Sequence, residues 1–300
     1  MKVGIIGGGA MGVGLAKLLG DAGHEVRVLA SGESSAAALR AGASVTAGGA
    51  TETVGFDAVA DPRALAGRPA VFVFVKSPDT AAAASSLSGA IDPGAIVVTL
   101  QNGLGNAEVL RAALPGNPLV SGSTAIGANR TAGGEYRIAG IGETVIGGDA
   151  TACEVIVTLL RSAGLPVRVS GDAELVAWEK VIVNAAINPL AAIAGVPNGS
   201  LQGSAAMVAA QEAVVAESCT VARAAGFAID CSAALVRVRD TCQATAANIC
   251  SMLQDLRADR RTEIGAINGA IARQGRRLGV PTPANDVLVA LVTALEARAR

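Results

Sequence analysis

The first 22 residues place a short apolar run directly before a glycine cluster and an amphipathic segment. Residues 3–6 predict a buried strand, Gly7, Gly9 and Gly12 follow with the spacing G-x-G-x-x-G, and residues 13–22 predict a helix. Glycine permits a tight turn at the first position, close backbone approach to a phosphate at the second, and close helix–strand packing at the third. The free N–H groups and dipole of the helix N-terminus favour the same anion. We therefore predict a dinucleotide site formed by Gly7, Gly8, Gly9, Ala10, Met11 and Gly12.

Short apolar runs alternate with helical segments through the first half of the chain. The predicted strands are 3–6, 25–29, 70–75, 95–100, 119–123, 144–146 and 167–170, and the predicted helices include 36–40, 80–87, 107–114 and 151–163. This alternation predicts an α/β fold with a mostly parallel, doubly wound sheet of Rossmann type. The glycine-rich segment 133–148 predicts an antiparallel hairpin at the edge of that sheet.

Strand patterns give way to long helical patterns from Asp172 onward. These patterns cover residues 174–194, 203–225, 232–257, 260–278 and 285–299. We predict an N-terminal dinucleotide-binding Rossmann domain of residues 1–171 and an all-helical C-terminal domain of residues 172–300, which would hold the substrate. A cleft above the carboxyl ends of the strands is where a small substrate would meet the dinucleotide.

Charge and composition exclude several classes of partner. The formal net charge of −1 gives no general attraction to nucleic acid or to an anionic membrane. No segment approaches the ~20 uninterrupted apolar residues that a membrane helix needs. Five cysteines without a Cys-x-x-Cys pair predict no metal site, and they fit a reducing cytoplasm. The single histidine, His24, precedes the second strand, at the wrong edge for catalysis, so acid–base chemistry would use lysine or carboxylates.

A polar stripe interrupts the apolar segment 174–194. Lys180, Asn184 and Asn188 recur in steps of four, which places them on one face of a single helix. A plain alternative is that this face points into solvent and that Lys180 is an ordinary surface charge. Two amides on the stripe argue against the alternative, because an exposed helix face more often carries Glu, Lys and Arg. The stripe therefore predicts a functional site.

Three further groups of polar residues accompany the stripe. Asn102 follows the strand 95–100 and Lys76 follows the strand 70–75, so both are expected at the carboxyl edge of the sheet, near a cofactor. Asn-Gly is also an ordinary turn pair, which leaves a purely structural role open. Ser251 and Glu263 lie about three helical turns apart or on either side of a helix break. Glu263 alone would be a solvated helix residue, but a lysine acid needs such a partner.

The glycine motif, the polar stripe and the further polar residues, with the sequence segments around them, together resemble the ketopantoate reductases (2-dehydropantoate 2-reductases) over nearly the whole chain. The resemblance implies reduction of the ketone of 2-dehydropantoate to (R)-pantoate with NADPH, on the route to pantothenate and coenzyme A. The strings that carry it are 7–12, 23–26, 101–105 and 140–147 in the first domain, and 178–180, 184, 188–190, 197–199, 251–255 and 262–269 in the second.

The resemblance also assigns roles to individual residues. It implies that Lys180 is the general acid and also contacts the substrate, and that Glu263 orients it and contacts the cofactor or the reacting centre. Asn102 would touch both cofactor and substrate. The remaining implied contacts are Lys76 and Ala128 with the cofactor, and Asn184, Asn188, Asn198 and Ser251 with the substrate.

One departure from the family pattern concerns the cofactor. Family members commonly carry an arginine just after the second strand, for the 2′-phosphate of NADP, whereas residues 29–33 here contain no basic residue. Ser31, Ser34 or Ser35 could bind the phosphate and Glu33 would repel it, so we expect NADPH with NADH as an alternative. Another 2-oxo acid or an imine as substrate, and a dinucleotide-sensing protein without catalysis, stay open. An Ala-rich face at 207–225 could pair two copies as a homodimer, although the sequence does not decide the oligomeric state.

Overall fold

The computed structural model describes residues 1–131 and 133–298, and within them it contains twelve strands and eleven α-helices. The strands are β1 (Lys2–Ile6), β2 (Glu25–Leu29), β3 (Ala43–Ala47), β4 (Ala50–Val54), β5 (Asp57–Val59), β6 (Ala70–Val73), β7 (Ile96–Thr99), β8 (Leu119–Thr124), β9 (Gly127–Arg130), β10 (Tyr136–Gly140), β11 (Thr144–Gly148) and β12 (Val167–Val169). The helices are α1 (Ala10–Asp21), α2 (Glu33–Ala41), α3 (Thr80–Leu87), α4 (Asn106–Ala113), α5 (Ala150–Ser162), α6 (Ala173–Ala194), α7 (Ala205–Ala224), α8 (Cys231–Ala244), α9 (Ser251–Arg257), α10 (Asn268–Leu278) and α11 (Pro283–Arg298).

The main sheet has the strand order β12-β11-β8-β7-β6-β1-β2-β5 within the described residues. β1 pairs in parallel with β6 on one side and β2 on the other, with Val3 opposite Ala70 and Val26. β6 and β7 are buried along their whole length, as strands covered on both faces require. The predicted doubly wound α/β sheet is confirmed.

The predicted hairpin over residues 133–148 is wrong in its pairing, because β10 and β11 lie in different sheets, although each pairs antiparallel with another strand. β11 joins the main sheet antiparallel to β8, whereas β10 belongs to a second sheet of order β4-β3-β10-β9 in the described chain. The physical reason is an alternating apolar pattern, because Tyr136 and Ile138 point to one buried face of β10. Ile138 packs beside Gly14 of α1, at 3.6 Å from the position that a Cβ on Gly14 would occupy. This second sheet therefore covers α1.

The C-terminal segment is helical, as predicted, but two predicted helices contain breaks. The pattern over 232–257 divides into α8 and α9, because the loop between them accepts backbone bonds from the segment that follows Pro197 (Asn198 N to Asn248 O, 3.0 Å). The pattern over 260–278 becomes helical only at Asn268. Residues 262–267 form turns instead, in which Thr262 is held by Glu296 at 2.7 Å. Residue 299 of the predicted last helix lies outside the described residues.

The chain divides into two compact units. The first consists of Met1–Gln101 and Asn106–Val176, and the second consists of Asn102–Gly105 and the residues from Ala177 onward. Two helices, α6 and α7, are long and apolar enough to cross a membrane by length and composition alone. This is weak evidence, because the core helix of a soluble protein satisfies the same criterion and most of the apolar stretch of α6 is buried.

Candidate active site

The glycine turn, defined here as residues 7–12, joins β1 to α1. Gly7 has φ +117°, and a Cβ there would lie 2.7 Å from the carbonyl carbon of Phe74. A Cβ on Gly12 would lie 1.9 Å from the carbonyl oxygen of Gly7. The protein itself therefore requires both glycines. A Cβ on Gly9, in contrast, would meet nothing within 4 Å among the described residues, so the space in front of Gly9 is open to a ligand.

The start of α1 suits a phosphate group. Its N-cap is Gly9, which has no side chain with which to cap the first N–H groups, and its first turn contains no acidic residue. Tyr136 donates its hydroxyl to the carbonyl oxygen of Gly8 at 3.2 Å, and the Arg130 guanidinium lies 5.0 Å from the centre of the Tyr136 ring. The turn thus fits a dinucleotide pyrophosphate, with uncapped N–H groups at its centre.

The segments that follow β6 and β7 are tied together. Gln101 donates to the carbonyl of Val75 at 2.7 Å, and Asn106 donates to Ser77 at 3.1 Å. Lys76 follows the end of β6, between Val75 and Ser77 in the chain, and is half-buried. The carboxyl ends of parallel strands therefore bring Lys76 to the edge at which the glycine turn also lies, as predicted. Ala128 lies in β9, with its Cβ 3.6 Å from the Cβ position of Gly14 on α1.

The segment after β2 contains an ion pair that was not anticipated from the sequence. Ser31 is exposed, and its hydroxyl lies 3.3 Å from that of Ser35. Glu33 starts α2 and pairs with Arg40, which also donates to the carbonyl of Ala58 at 2.8 Å. Arg40 therefore offsets the negative charge of Glu33, which was expected to repel a phosphate. The signal that could have revealed this pair is its seven-residue spacing, which equals two helical turns.

The polar face of α6, defined as Lys180, Asn184 and Asn188, is not an exposed surface. Lys180 and Asn184 are half-buried and Asn188 is only 8% exposed. Burial lowers the pKa of Lys180 to about 8, and the negative charge of Glu263 opposes that shift. A lysine of this pKa is charged near neutral pH and gives up its proton readily. The lysine is therefore suited to proton transfer.

Glu263 lies in a turn rather than on a helix, which corrects the expectation of a solvated helix residue. Its carboxylate is half-buried and accepts a hydrogen bond from Asn102 Nδ2 at 3.1 Å. The backbone N–H of Leu104 also donates to the carbonyl of Ala266 at 3.0 Å, which fixes the 102–105 segment against this turn. Asn102, Glu263 and Lys180 therefore form one electrostatic group.

Two further contacts hold the remaining predicted substrate residues. The Cys250 thiol donates to the carbonyl of Asn188 at 3.4 Å and caps α9, whose first residue is Ser251. Asn198 donates to the hydroxyl of Thr245 at 2.9 Å. Its buried Oδ1 lacks a hydrogen-bond partner within the part of the chain that the structure describes. A buried acceptor of this kind favours a role in ligand binding, since most buried polar atoms are paired.

The structure gathers some of the predicted residues into groups. Lys180, Glu263 and Asn102 form one group, the glycine turn forms another, and Cys250, next to Ser251 in the chain, bonds the Asn188 carbonyl. It does not bring Ser31, Lys76, Ala128, Asn184 and Asn198 into these groups. Sequence reasoning missed Cys250, Tyr136 and Arg40. Tyr136 is the only tyrosine of the chain, and its alternation with Ile138 was the available signal.

The doubly wound sheet with its glycine turn, followed by a helical unit carrying a half-buried lysine, defines the class of two-domain NAD(P)-dependent oxidoreductases. Residues 3–150 match the family model described as "Ketopantoate reductase PanE/ApbA", and residues 172–296 match the model of its C-terminal part. The chain belongs to the ketopantoate reductase family, which confirms the resemblance found in the sequence.

Individual relatives agree with this assignment. The chain is 34% identical to the 2-dehydropantoate 2-reductase of Archaeoglobus fulgidus, over 98% of both proteins. It is 39% identical to that of Halobacterium salinarum, over 77% of both. Among solved structures, a PanE/ApbA family ketopantoate reductase from Ralstonia eutropha aligns with TM-score 0.90 and 34% identity, covering 100% of this chain and 99% of that one. D-mandelate dehydrogenase in complex with NADH and anilino(oxo)acetate aligns with TM-score 0.93 and 25% identity, covering 100% and 99%.

Proposed function

We propose that this chain reduces the ketone of 2-dehydropantoate to (R)-pantoate, with NADPH as the reductant and Lys180 as the general acid. The observation that carries the proposal is the environment of Lys180. Burial brings the pKa of this lysine to about 8 while Glu263 keeps a negative charge beside it. General acids work best when their pKa lies near the operating pH. The proposal also rests on the similarity to 2-dehydropantoate 2-reductases along the whole chain.

The substrate would be bound by the amides and hydroxyl of the second unit. A 2-oxo acid presents a carboxylate and a carbonyl oxygen, and both accept hydrogen bonds. Neutral amide and hydroxyl donors can hold these oxygens without adding a charge that competes with the lysine. Asn184, Asn188 and Ser251 are the donors that we assign to this role, together with Asn102, whereas the unpaired Oδ1 of Asn198 would accept a hydrogen bond from the hydroxyl of the substrate.

Lys180 would both position the ketone and protonate it. Its ammonium group donates a hydrogen bond to the carbonyl oxygen and then transfers a proton to that oxygen as negative charge develops there. The positive charge stabilises the developing alkoxide, which is a transition-state effect. Glu263 would keep Lys180 protonated in the resting enzyme by its charge, and Asn102 would hold the Glu263 carboxylate in place.

The dinucleotide would be held by the first unit. When bound, it supplies the hydride that reduces the ketone carbon. The N–H groups of Gly7, Gly8, Gly9, Ala10, Met11 and Gly12 would bind the pyrophosphate, because the start of α1 is uncapped. Ser31 would contact the adenosine ribose or its phosphate, and Lys76, Asn102, Ala128 and Glu263 would contact the remainder of the cofactor.

The decisive experiment is a steady-state assay of the purified protein with 2-dehydropantoate and a panel of other 2-oxo acids. NADPH and NADH are tested in parallel, and the Lys180→Ala variant is the matched control for contaminating reductases. We expect the highest kcat/KM for 2-dehydropantoate with NADPH. A higher kcat/KM for another 2-oxo acid would contradict the proposed substrate and would leave the reaction class intact.

A second candidate function is reduction of a different 2-oxo acid with NADH. The observation that favours it is the similarity to D-mandelate dehydrogenase, whose solved complex contains NADH. The panel should therefore include 2-oxo acids with an aromatic substituent. An imine substrate is tested with the same 2-oxo acids after addition of ammonia or an amine.

We also propose that the protein acts in the cytoplasm, on a small molecule and without a nucleic-acid or membrane partner. All five cysteines are free thiols, and four of them are buried, as expected for a reducing compartment. Pairing of two copies through the Ala-rich face of α7 stays a proposal. Sedimentation of the purified protein tests it directly.

A further inference from the structure

A proline interrupts the hydrogen bonding of the helix that carries the polar face. In an α-helix each carbonyl accepts a bond from the N–H four residues further on, and proline has no N–H. Pro189 lies inside α6, so it cannot donate to the carbonyl of Ala185. Ala185 directly follows Asn184, and Pro189 directly follows Asn188. The missing bond therefore joins two residues that each directly follow an asparagine of the polar face of α6.

A side chain from another helix supplies a donor to that carbonyl. Asn268, the first residue of α10, donates from Nδ2 to the carbonyl oxygen of Ala185 at 3.2 Å. Asn268 is fully buried, with 0% exposure. Burying a carbonyl without a hydrogen-bond partner is costly, so this bond offsets a penalty that the proline creates.

The orientation of the Asn268 amide is fixed by a chain of bonds. Nδ2 also donates to Asn285 Oδ1 at 3.0 Å, and Asn285 Nδ2 donates to the Glu217 carboxylate at 2.8 Å. An ionised carboxylate can only accept, so Asn285 must present its NH₂ group to Glu217 and its oxygen to Asn268. Asn268 must then present its NH₂ group to both Asn285 and Ala185.

Asn268 also lies next to the turn that carries Glu263. The backbone N–H of Ile267 donates to the carbonyl of Glu263 at 3.0 Å, and that of Gly269 donates to Ile264 at 2.9 Å. The backbone on both sides of Asn268 is therefore bonded to the Glu263 turn, while its side chain is bonded to α6. A single residue connects the helix of Lys180 with the turn of Glu263.

We propose that Asn268 is a positioning residue that replaces the hydrogen bond Pro189 cannot make, and so fixes Lys180 and Glu263 relative to each other. Asn268 Oδ1 has no hydrogen-bond partner in the described part of the chain, so the amide is held by its donors alone. The catalytic part of this inference rests on the proposed function of Lys180, whereas the structural part does not.

The experiment is a double-mutant cycle with Asn268→Ala, Pro189→Ala and the combined variant. An alanine at position 189 restores an N–H four residues after Ala185, so the Asn268 bond becomes less necessary. We expect Asn268→Ala to lower the urea midpoint and to lower kcat by up to about 10²-fold, as small misplacements of catalytic groups do. The combined variant should recover most of both losses.

The pH profile separates positioning from a merely structural role. If Asn268→Ala moves Glu263 away from Lys180, the alkaline limb of kcat/KM shifts to lower pH, and Pro189→Ala should move it back. Gln211→Ala is the matched control, because Gln211 is a buried amide of α7 that bonds Gln202 and Cys242 instead. Pro189→Ala should not rescue the control.

The outcomes separate failure of the replacement bond from failure of the positioning role. Additive urea midpoints in the cycle would overturn the proposed replacement bond, whatever the activity. If the two substitutions are coupled in their urea midpoints, but Asn268→Ala leaves both kcat and the alkaline limb of kcat/KM unchanged, the positioning role would be overturned. If Asn268→Ala does not fold, recovery of folding in the combined variant supports the inference and continued misfolding overturns it. A parent protein without reductase activity would contradict the proposed function and with it the catalytic part, while the midpoints would still test the bond.

Discussion

The glycine turn is a contiguous segment of six residues, whereas the polar face of α6 depends on partners at positions 102, 250, 263 and 268. In the turn, the backbone itself forms the site. Gly7 and Gly12 are required by contacts with Phe74 and with each other, and Gly9 leaves open space. Local geometry of this kind follows from the order of residues along the chain.

The polar face obtains its chemistry from distant residues. Burial lowers the pKa of Lys180 to about 8, against the opposing charge of Glu263, which lies far away in the sequence. The carbonyls of Ala185 and Asn188 are bonded by Asn268 and Cys250. A binding site made of backbone can thus be identified from a motif, whereas the tuning of an acid depends on the fold.

The largest expected effect is at Lys180. Lys180→Ala should reduce kcat about 10²–10⁴-fold, the usual range for loss of a general acid, while cofactor affinity stays near that of the parent. Lys180→Arg separates charge from acidity, because arginine keeps a cation but does not release its proton at neutral pH. We expect it to be nearly as inactive as the alanine variant.

Kinetics at saturating substrate measure kcat, and cofactor titration measures the affinity for the dinucleotide. Half or more of the parent turnover in Lys180→Ala would rule out the assigned acid. Strong activity in Lys180→Arg would instead assign the lysine to electrostatic stabilisation alone.

A smaller effect is expected from Gly9→Val. The new side chain would occupy the open space in front of the turn and weaken dinucleotide binding at least about tenfold, because it blocks close approach of the pyrophosphate. Gly20→Val is the matched control, since Gly20 lies at the other end of α1 and a Cβ there also meets nothing within 4 Å among the described residues. Fluorescence titration with NADPH measures the affinity, and circular dichroism checks the fold. Equal affinities in both variants would remove the turn from the site.

The fold was predictable wherever one element could be identified by its own pattern. The alternation of strands and helices predicted the main sheet, and the spacing of four predicted the polar face. The β3–β4 hairpin was missed although Gly48 and Gly49, both with positive φ, form the glycine pair typical of its turn. β4 is exposed and polar, so no apolar alternation marked it, whereas β3 does alternate, with Ala43 and Val45 buried, but over only five residues.

The site was less predictable than the fold for a physical reason. Glu263 lies in a sequence with helical periodicity, but Thr262 bonds to Glu296 and the helix begins only at Asn268. Tertiary contacts overrode the local propensity. The residues could be named from the family resemblance, whereas the bonds that Asn102 and Asn268 make could be found only in the structure.

The pH dependence of the reaction depends on Lys180 and Glu263. Lys180 must be protonated to act as an acid, so kcat/KM should fall as the pH rises through about 8. Glu263 raises the pKa of Lys180, so Glu263→Gln removes that effect and should move the alkaline limb to lower pH. Glu179→Gln is the control, because this carboxylate precedes Lys180 on α6 but pairs with Arg237 at 3.1 Å. A limb that stays in place in Glu263→Gln, or that moves equally in Glu179→Gln, would contradict the assigned coupling.

The smallest expected effect concerns the choice between NADPH and NADH. Arg40 pairs with Glu33 at the start of α2, and both side chains are largely exposed, so the pair contributes about 0–1 kcal/mol. Arg40→Gln should release the Glu33 carboxylate and lower the ratio of kcat/KM for NADPH over NADH by no more than about fivefold. Glu33→Gln should raise the ratio by a similar or smaller factor, and Ser31→Arg should raise it most, since arginine offers a bidentate partner to the 2′-phosphate. The parent should therefore prefer NADPH only narrowly.

Parallel measurement of kcat/KM for both cofactors in the parent and the three variants tests this order. A parent that uses NADH better would reverse the cofactor assignment, and a ratio that does not respond to Ser31→Arg would place this loop away from the adenosine ribose.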